Sequence, residues 1–161
     1  MRTVTSVFAL MLAACAAPAA PAVEITDMEA GELPGDVRAL AESAVSGFSV
    51  SEAQKKVRDG RTYYDVEGAL PDGSEIEFDI LMTETGPEIV EIQRDLDWAD
   101  VPEAVRAAVP GIEPARVIES TQTDGTIIYE LFAPGAPADP AMEVSLGTDG
   151  AVAVLKERWP H

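Results

Sequence analysis

Two stretches of the chain repeat one design, and this recurrence constrains the fold more than any other feature. Leu33-Pro34-Gly35-Asp36-Val37-Arg38 returns as Val101-Pro102-Glu103-Ala104-Val105-Arg106. Asp59-Gly60, followed by Tyr64 in an alternating run, returns as Asp124-Gly125 followed by Tyr129, and Trp98 and Trp159 close the two copies. A repeated segment of this size is one supersecondary unit, so the chain is expected to build the same unit twice.

Each unit opens on a helix. Val37, Leu40, Ala41, Ala44 and Val45 fall at i, i+3, i+4, i+7 and i+8, one face of an amphipathic helix. Pro34 suits its first turn, where a missing N–H costs nothing, and Gly47 suits its end. Val105, Ala108 and Val109 give a shorter version before Pro110-Gly111. Strands follow. Tyr64, Val66 and Leu70 alternate with Tyr63, Asp65 and Glu67, and Ile76, Phe78 and Ile80 alternate with Glu75, Glu77 and Asp79. Ile127, Tyr129 and Leu131, with Met142, Val144 and Leu146, are the corresponding sets of the second copy. Such alternation is that of half-buried antiparallel strands, and Asp59-Gly60 and Asp149-Gly150 are hairpin signals. The expected class is α+β: two tandem units, residues 33–98 and 99–161, each a helix packed on its own antiparallel sheet of about four strands.

The helix entry Leu33-Pro34-x-x-Val37, the Asp59-Gly60 turn, the Tyr63-Tyr64-x-Val66 strand and the Asp72-Gly73 turn resemble PepSY-type domains. More broadly, nearly all of residues 33–159 resembles the tandem PepSY-like units of the β-lactamase-inhibitor-protein superfamily. The second copy departs from the pattern with Ile128-Tyr129 and with the long segment Ala133–Pro140. The resemblance implies extracytoplasmic modules that bind other proteins, some of them inhibiting or regulating peptidases. It implies no shared catalytic residue.

The first residues read as an export signal, with Arg2 before an apolar run from Val4 to Ala14. Leu12-Ala13-Ala14-Cys15 resembles the lipobox of bacterial lipoproteins, which implies cleavage after residue 14 and acylation of Cys15, the only cysteine. An ordinary secretory signal cut within Ala16–Ala22 is the alternative. Residues 15–32 then read as a flexible tether rich in Ala, Pro and acids. The resulting location is the periplasm, held to a membrane by lipid; Ala16 after the Cys favours the outer membrane.

Loss of residues 1–14 leaves 10 basic against 29 acidic residues, a formal charge near −19. A polyanion of this kind repels nucleic acid and anionic lipid and attracts cations or basic protein surfaces. With Cys15 committed to the anchor and His161 the single histidine, thiol nucleophiles, Ser-His-Asp triads and His- or Cys-based metal sites have no residues to use. No catalytic residue, cofactor or dedicated metal site is assigned, and the chain is read as a non-enzyme. Asp95-x-Asp97-x-x-Asp100 lacks the turn Gly and terminal Glu of a calcium loop and reads as a solvated linker.

The outward faces remain. A three-residue loop, Pro71-Asp72-Gly73, pairs Val66 with Phe78 and Tyr64 with Ile80 inside, which sets Glu67 opposite Glu77 and Asp65 opposite Asp79 outside. Like charges directly opposite destabilise a sheet. Either the basic cluster Lys55, Lys56, Arg58 and Arg61 neutralises them, or the anionic face serves a basic partner or a divalent cation. In the second copy, Ile128 and Phe132 flank Glu130 on the corresponding face, where Tyr63 of the first copy could join them. That apolar strip either packs internally or meets a partner. The expected partner-binding residues are therefore Asp65, Glu67, Glu77, Asp79, Tyr63, Ile128 and Phe132. The favoured function is a non-catalytic, envelope-anchored binding or inhibitory module for another envelope protein with a basic surface; the alternative is an acidic periplasmic protein that binds calcium-type cations.

Overall fold

The computed structural model describes residues 23–135 and 137–159. The export signal, the lipobox with Cys15, and His161 lie outside the described residues. Nine strands run in chain order: β1 (Glu24–Glu29), β2 (Ser49–Arg58), β3 (Arg61–Ala69), β4 (Glu75–Thr83), β5 (Gly86–Asp95), β6 (Arg116–Gln122), β7 (Ile127–Phe132), β8 (Met142–Leu146) and β9 (Val152–Val154). Two helices interrupt them, α1 (Gly35–Ala44) and α2 (Glu103–Ala108). None of the described helices is long and apolar enough to cross a membrane.

The expectation of two units with separate sheets is overturned. All nine strands form one antiparallel sheet in sequential order, with two short α-helices among the described residues. The joint is the β5–β6 pair, where Glu91 to Asp95 register against Gln122 to Ile118. Its cause is chemical. Strand β5 carries polar groups on both faces, and β6 supplies their partners. On one face Arg94 Nε donates to Glu119 Oε1 at 2.7 Å, and the Tyr129 hydroxyl donates to Glu119 Oε2 at 3.3 Å. On the other, Ser120 Oγ and Gln122 Nε2 donate to Glu91 Oε1, and Arg116 Nε donates to Asp95 Oδ1 at 2.7 Å. Separate sheets would have exposed two edges and stranded these groups.

The tether reading also needs correction. Within residues 15–32, the stretch Glu24–Glu29 is strand β1, paired along its length with β2 from Glu24↔Val57 to Glu29↔Glu52. A 3₁₀ turn over Ala30–Glu32 links it to Leu33.

Local signals that rest on turn chemistry appear where expected. Asp59 and Gly60, with φ of 53° and 74°, make the two-residue turn between β2 and β3. That conformation is the one whose twist suits a tight hairpin. Pro71-Asp72-Gly73 forms a three-residue loop closed by Leu70 N–H to Ser74 O, and the Asp72 carboxylate accepts from Ser74 N–H at 3.0 Å. Asp124 and Asp149 cap the corresponding turns before Thr126 and Ala151 in the same way.

Both helices lie on one face of the sheet, above two apolar clusters. Val37 and Ala41 of α1 pack with Leu33, Phe48, Ala53, Tyr64, Val66, Phe78 and Ile80. Val101 and Val105 pack with Val109, Val117, Tyr129, Leu131 and Val144. Leu96 and Trp98 join this second cluster. The inward assignments of Tyr64, Val66, Phe78, Ile80, Tyr129, Leu131 and Val144 thus hold, and each is buried.

Candidate functional site

The opposite face of the sheet holds the residues singled out above, and the register there is the expected one. Asp65 pairs with Asp79, Glu67 with Glu77, and Asp79 in turn with Glu91 on β5. Three carboxylates therefore stand in a row across β3, β4 and β5. A face drawn from alternation alone should be wet. Here it is largely buried: Asp65 is 4% exposed, Asp79 9%, Glu91 3%, Glu130 6% and Glu143 4%. Neither helix lies on this side, so its side chains cover one another. The tail adds cover at one end, where Trp159 N–H donates to Glu143 Oε2 and Arg158 pairs with Glu143 and Asp139.

Burial sorts the seven expected partner-binding residues. Ile128 is fully buried and Phe132 is 6% exposed, so the apolar strip is internal and offers no contact surface. The Arg116 guanidinium lies 5.5 Å from the Phe132 ring centre. Asp65 and Asp79 are likewise too deep to meet a protein surface. Glu67 is exposed, while Glu77 and Tyr63 are partly so. Arg58 and Arg61 stack over the Tyr63 ring at 5.1 and 5.8 Å, which occupies both guanidiniums.

The basic cluster consequently neutralises little. Of its four members only Lys56 reaches the row, as an ion pair between its Nζ and Asp65 Oδ2. Burial works against the Lys56 ammonium, but the hydrogen bond and charge of Asp65, with Asp79 and Glu77 behind it, outweigh that and hold its pKa above the usual lysine value. One cation faces several anions. Burial first, then repulsion from Asp65 and Glu67, pushes Glu77 up to about 7. Burial, then Asp65, Glu91 and Glu77, drives Asp79 well above the carboxylate range. Glu67 is raised as well, by burial and then by Glu52, Asp65 and Glu75.

Two features result. The first is a group of three: carboxylate oxygens of Asp65, Glu77 and Asp79 all lie within 4.8 Å of one another. Within it, Asp65 Oδ1 and Asp79 Oδ1 are buried without a hydrogen-bond partner. The second is an open depression of about 370 Å³, walled in part by Glu52, Glu67, Glu75, Glu77, Asp95 and Arg116. Arg116 is bound to Asp95 there, and Arg94, also in the wall, to Glu119, so the other four carboxylates give the hollow a negative field. Glu52 and Glu75 could have been found from the sequence: they share the parity of Glu67 and Glu77 on adjoining strands. Glu91 could not, because a bulge between Asp79 and Ile80 shifts the pairing with β5.

Nothing in this arrangement builds a nucleophile with an adjacent base. What buried, crowded oxygens can do is bind positive charge or hold protons. Comparison with protein-family models, with curated proteins and with solved structures gives no match to this chain.

Proposed function

We propose that the chain is a non-catalytic binding or inhibitory module of the bacterial cell envelope, PepSY-like in kind and anchored through lipidated Cys15. Its ligand is a positively charged segment of another envelope protein, seated in the depression beside β3 and β4. The observation that carries this reading is the surplus of carboxylate in that hollow, where both arginines are already engaged with acids of their own. Glu67 and Glu77 are raised by burial first and by neighbouring carboxylates second, and a lysine or arginine of a partner entering the hollow would offset that second part. Charge complementarity of this sort sets association rate and partner choice more than raw affinity. Burial narrows the contact set relative to the row of carboxylates as a whole: Glu52, Glu67, Glu75 and Glu77 are the accessible ones.

The test is cross-linking in intact cells with the wild-type chain and with Glu67→Lys/Glu75→Lys. Both positions are exposed, so the double variant should fold and melt normally. A basic protein captured by the wild type and lost with the folded variant is the expected result. Equal capture by both would remove the depression from the binding surface.

A further inference from the structure

We infer that Asp65, Glu77 and Asp79 form a binding site for one divalent cation of the calcium type. The ligand atoms are those of three carboxylates from two adjacent strands, with oxygens mutually within 4.8 Å. Calcium takes oxygen ligands at about 2.3–2.6 Å, so two ligands on opposite sides of one ion stand up to about 5 Å apart. Magnesium, at about 2.0–2.1 Å with near-ideal octahedral demands, fits such a spread less well. All the donors are hard oxygens, which excludes the softer metals as natural occupants.

Proximity of acids alone would not make a site. The decisive point is the state of the oxygens. Asp65 Oδ1 and Asp79 Oδ1 are each buried with no hydrogen-bond partner, in side chains 4% and 9% exposed. Leaving a buried acceptor unsatisfied costs about 1–3 kcal/mol, and more if it is charged. The cluster contains one counter-charge, and Lys56 spends it on Asp65 Oδ2. The two open oxygens are therefore free to ligate a cation. A route exists, because Glu77 belongs both to the trio and to the wall of the open depression. Glu91, directly opposite Asp79 on β5, adds negative charge beside the site while its own Oε1 is held by Ser120 and Gln122. Elsewhere on the face, Asp95 is matched by Arg116, and Glu143 and Asp139 by Arg158.

The measurement is a calcium chloride titration of the full mature chain at pH 8, by calorimetry and by thermal melting, with magnesium chloride as the second probe. Saturable binding of one calcium, with a melting temperature that climbs with concentration, is expected, since a ligand of the native state must stabilise it. Asp79→Asn and Glu77→Gln should each weaken calcium by about tenfold or more, as loss of a charged ligand does, while remaining folded in its absence. Glu67→Lys/Glu75→Lys should keep saturable binding, which separates this site from the docking surface. No heat and no melting shift at about 10 mM calcium, roughly tenfold above the dissociation constants of the weakest extracellular sites, would overturn the inference. So would an equal response to magnesium that persists in Asp79→Asn, because that is ionic screening and not a site.

Discussion

Neutralising Glu77 without changing its shape should make the protein more stable at alkaline pH. Glu77 titrates at about 7 in the fold against an ordinary 4.5, chiefly through burial and then through Asp65 and Glu67, with Lys56 acting the other way. Because the folded pKa is raised, the native state holds the proton more tightly than the unfolded chain between those values. Stability therefore falls as pH rises from 4.5 to 7, and the full penalty is present above 7. At 1.36 kcal/mol per unit the shift corresponds to about 3 kcal/mol, and access to water at the depression reduces this to about 2 kcal/mol.

Glu77→Gln removes that penalty. Thermal melts in EDTA should then show the variant equal to the wild type near pH 4.5 and higher by about 2 kcal/mol at pH 8. For a domain of this size that is roughly 6–10 °C in melting temperature. The wild type should keep declining beyond pH 7, since Asp79 is raised further still; the variant should decline less, having lost one of the charges that repel Asp79. Parallel pH profiles, or a variant that melts lower at pH 8, would mean that Glu77 ionises without strain and that the row of carboxylates is relaxed. Calcium should reverse the ranking, stabilising the wild type and leaving Glu77→Gln nearly unmoved.

Two predictions concern the frame that holds the site. Phe78 is fully buried beneath α1 and stands edge-on to Phe48 with ring centres 4.9 Å apart, so Phe78→Ala should cost about 3–5 kcal/mol in urea unfolding. Because Phe78 sits between Glu77 and Asp79, the loss should also blunt the calcium response. Gly68 leaves no room for a side chain: a Cβ there would lie 2.3 Å from Ser49 O and 2.5 Å from the Phe48 ring. Gly68→Ala should thus destabilise by about 1–3 kcal/mol through overpacking, measured in the same way.

Much of the first repeat was legible because its signals are local. The positions Val37 and Ala41, the turns at Asp59-Gly60 and Pro71-Asp72-Gly73, and the pairing of Val66 with Phe78 all depend on residues within a hairpin or a helical turn. Strand β1 escaped notice because its two large apolar residues, Ile25 and Met28, fall on opposite faces and give no period; Met28 reaches the first cluster while Ile25 remains 57% exposed. The single sheet escaped for a different reason. Its joint rests on polar contacts such as Arg94–Glu119 and Arg116–Asp95, between residues 21 to 25 positions apart in sequence, and alternation carries no information about such partners. Burial of Ile128, Phe132, Asp65 and Asp79 depends on neighbours across several strands of the one sheet, not on the residues next to them in sequence. The right residues were visible on the right face, but its depth was not.

Joining the repeats into one sheet changes what their differences mean. Two separate units would each manage their own charge, and a surplus in one could simply be a soluble surface. On a single face, the acids Asp95 of β5 and Glu143 of β8 meet Arg116 and Arg158, whereas those of β3 and β4 meet only Lys56. The imbalance is not a general consequence of an acidic composition, because the same chain supplies Arg116 to Asp95 and Arg158 to Glu143 and Asp139. It is greatest across β3 and β4, where the register sets Asp65 against Asp79 and Glu67 against Glu77, with Glu52 and Glu91 opposite on the flanking strands. A fold that carries two repulsive pairs side by side gives up stability there at neutral pH. The physical compensation available at that place is positive charge from outside, a buried cation at Asp65 and Asp79 and a basic side chain at Glu67 and Glu75.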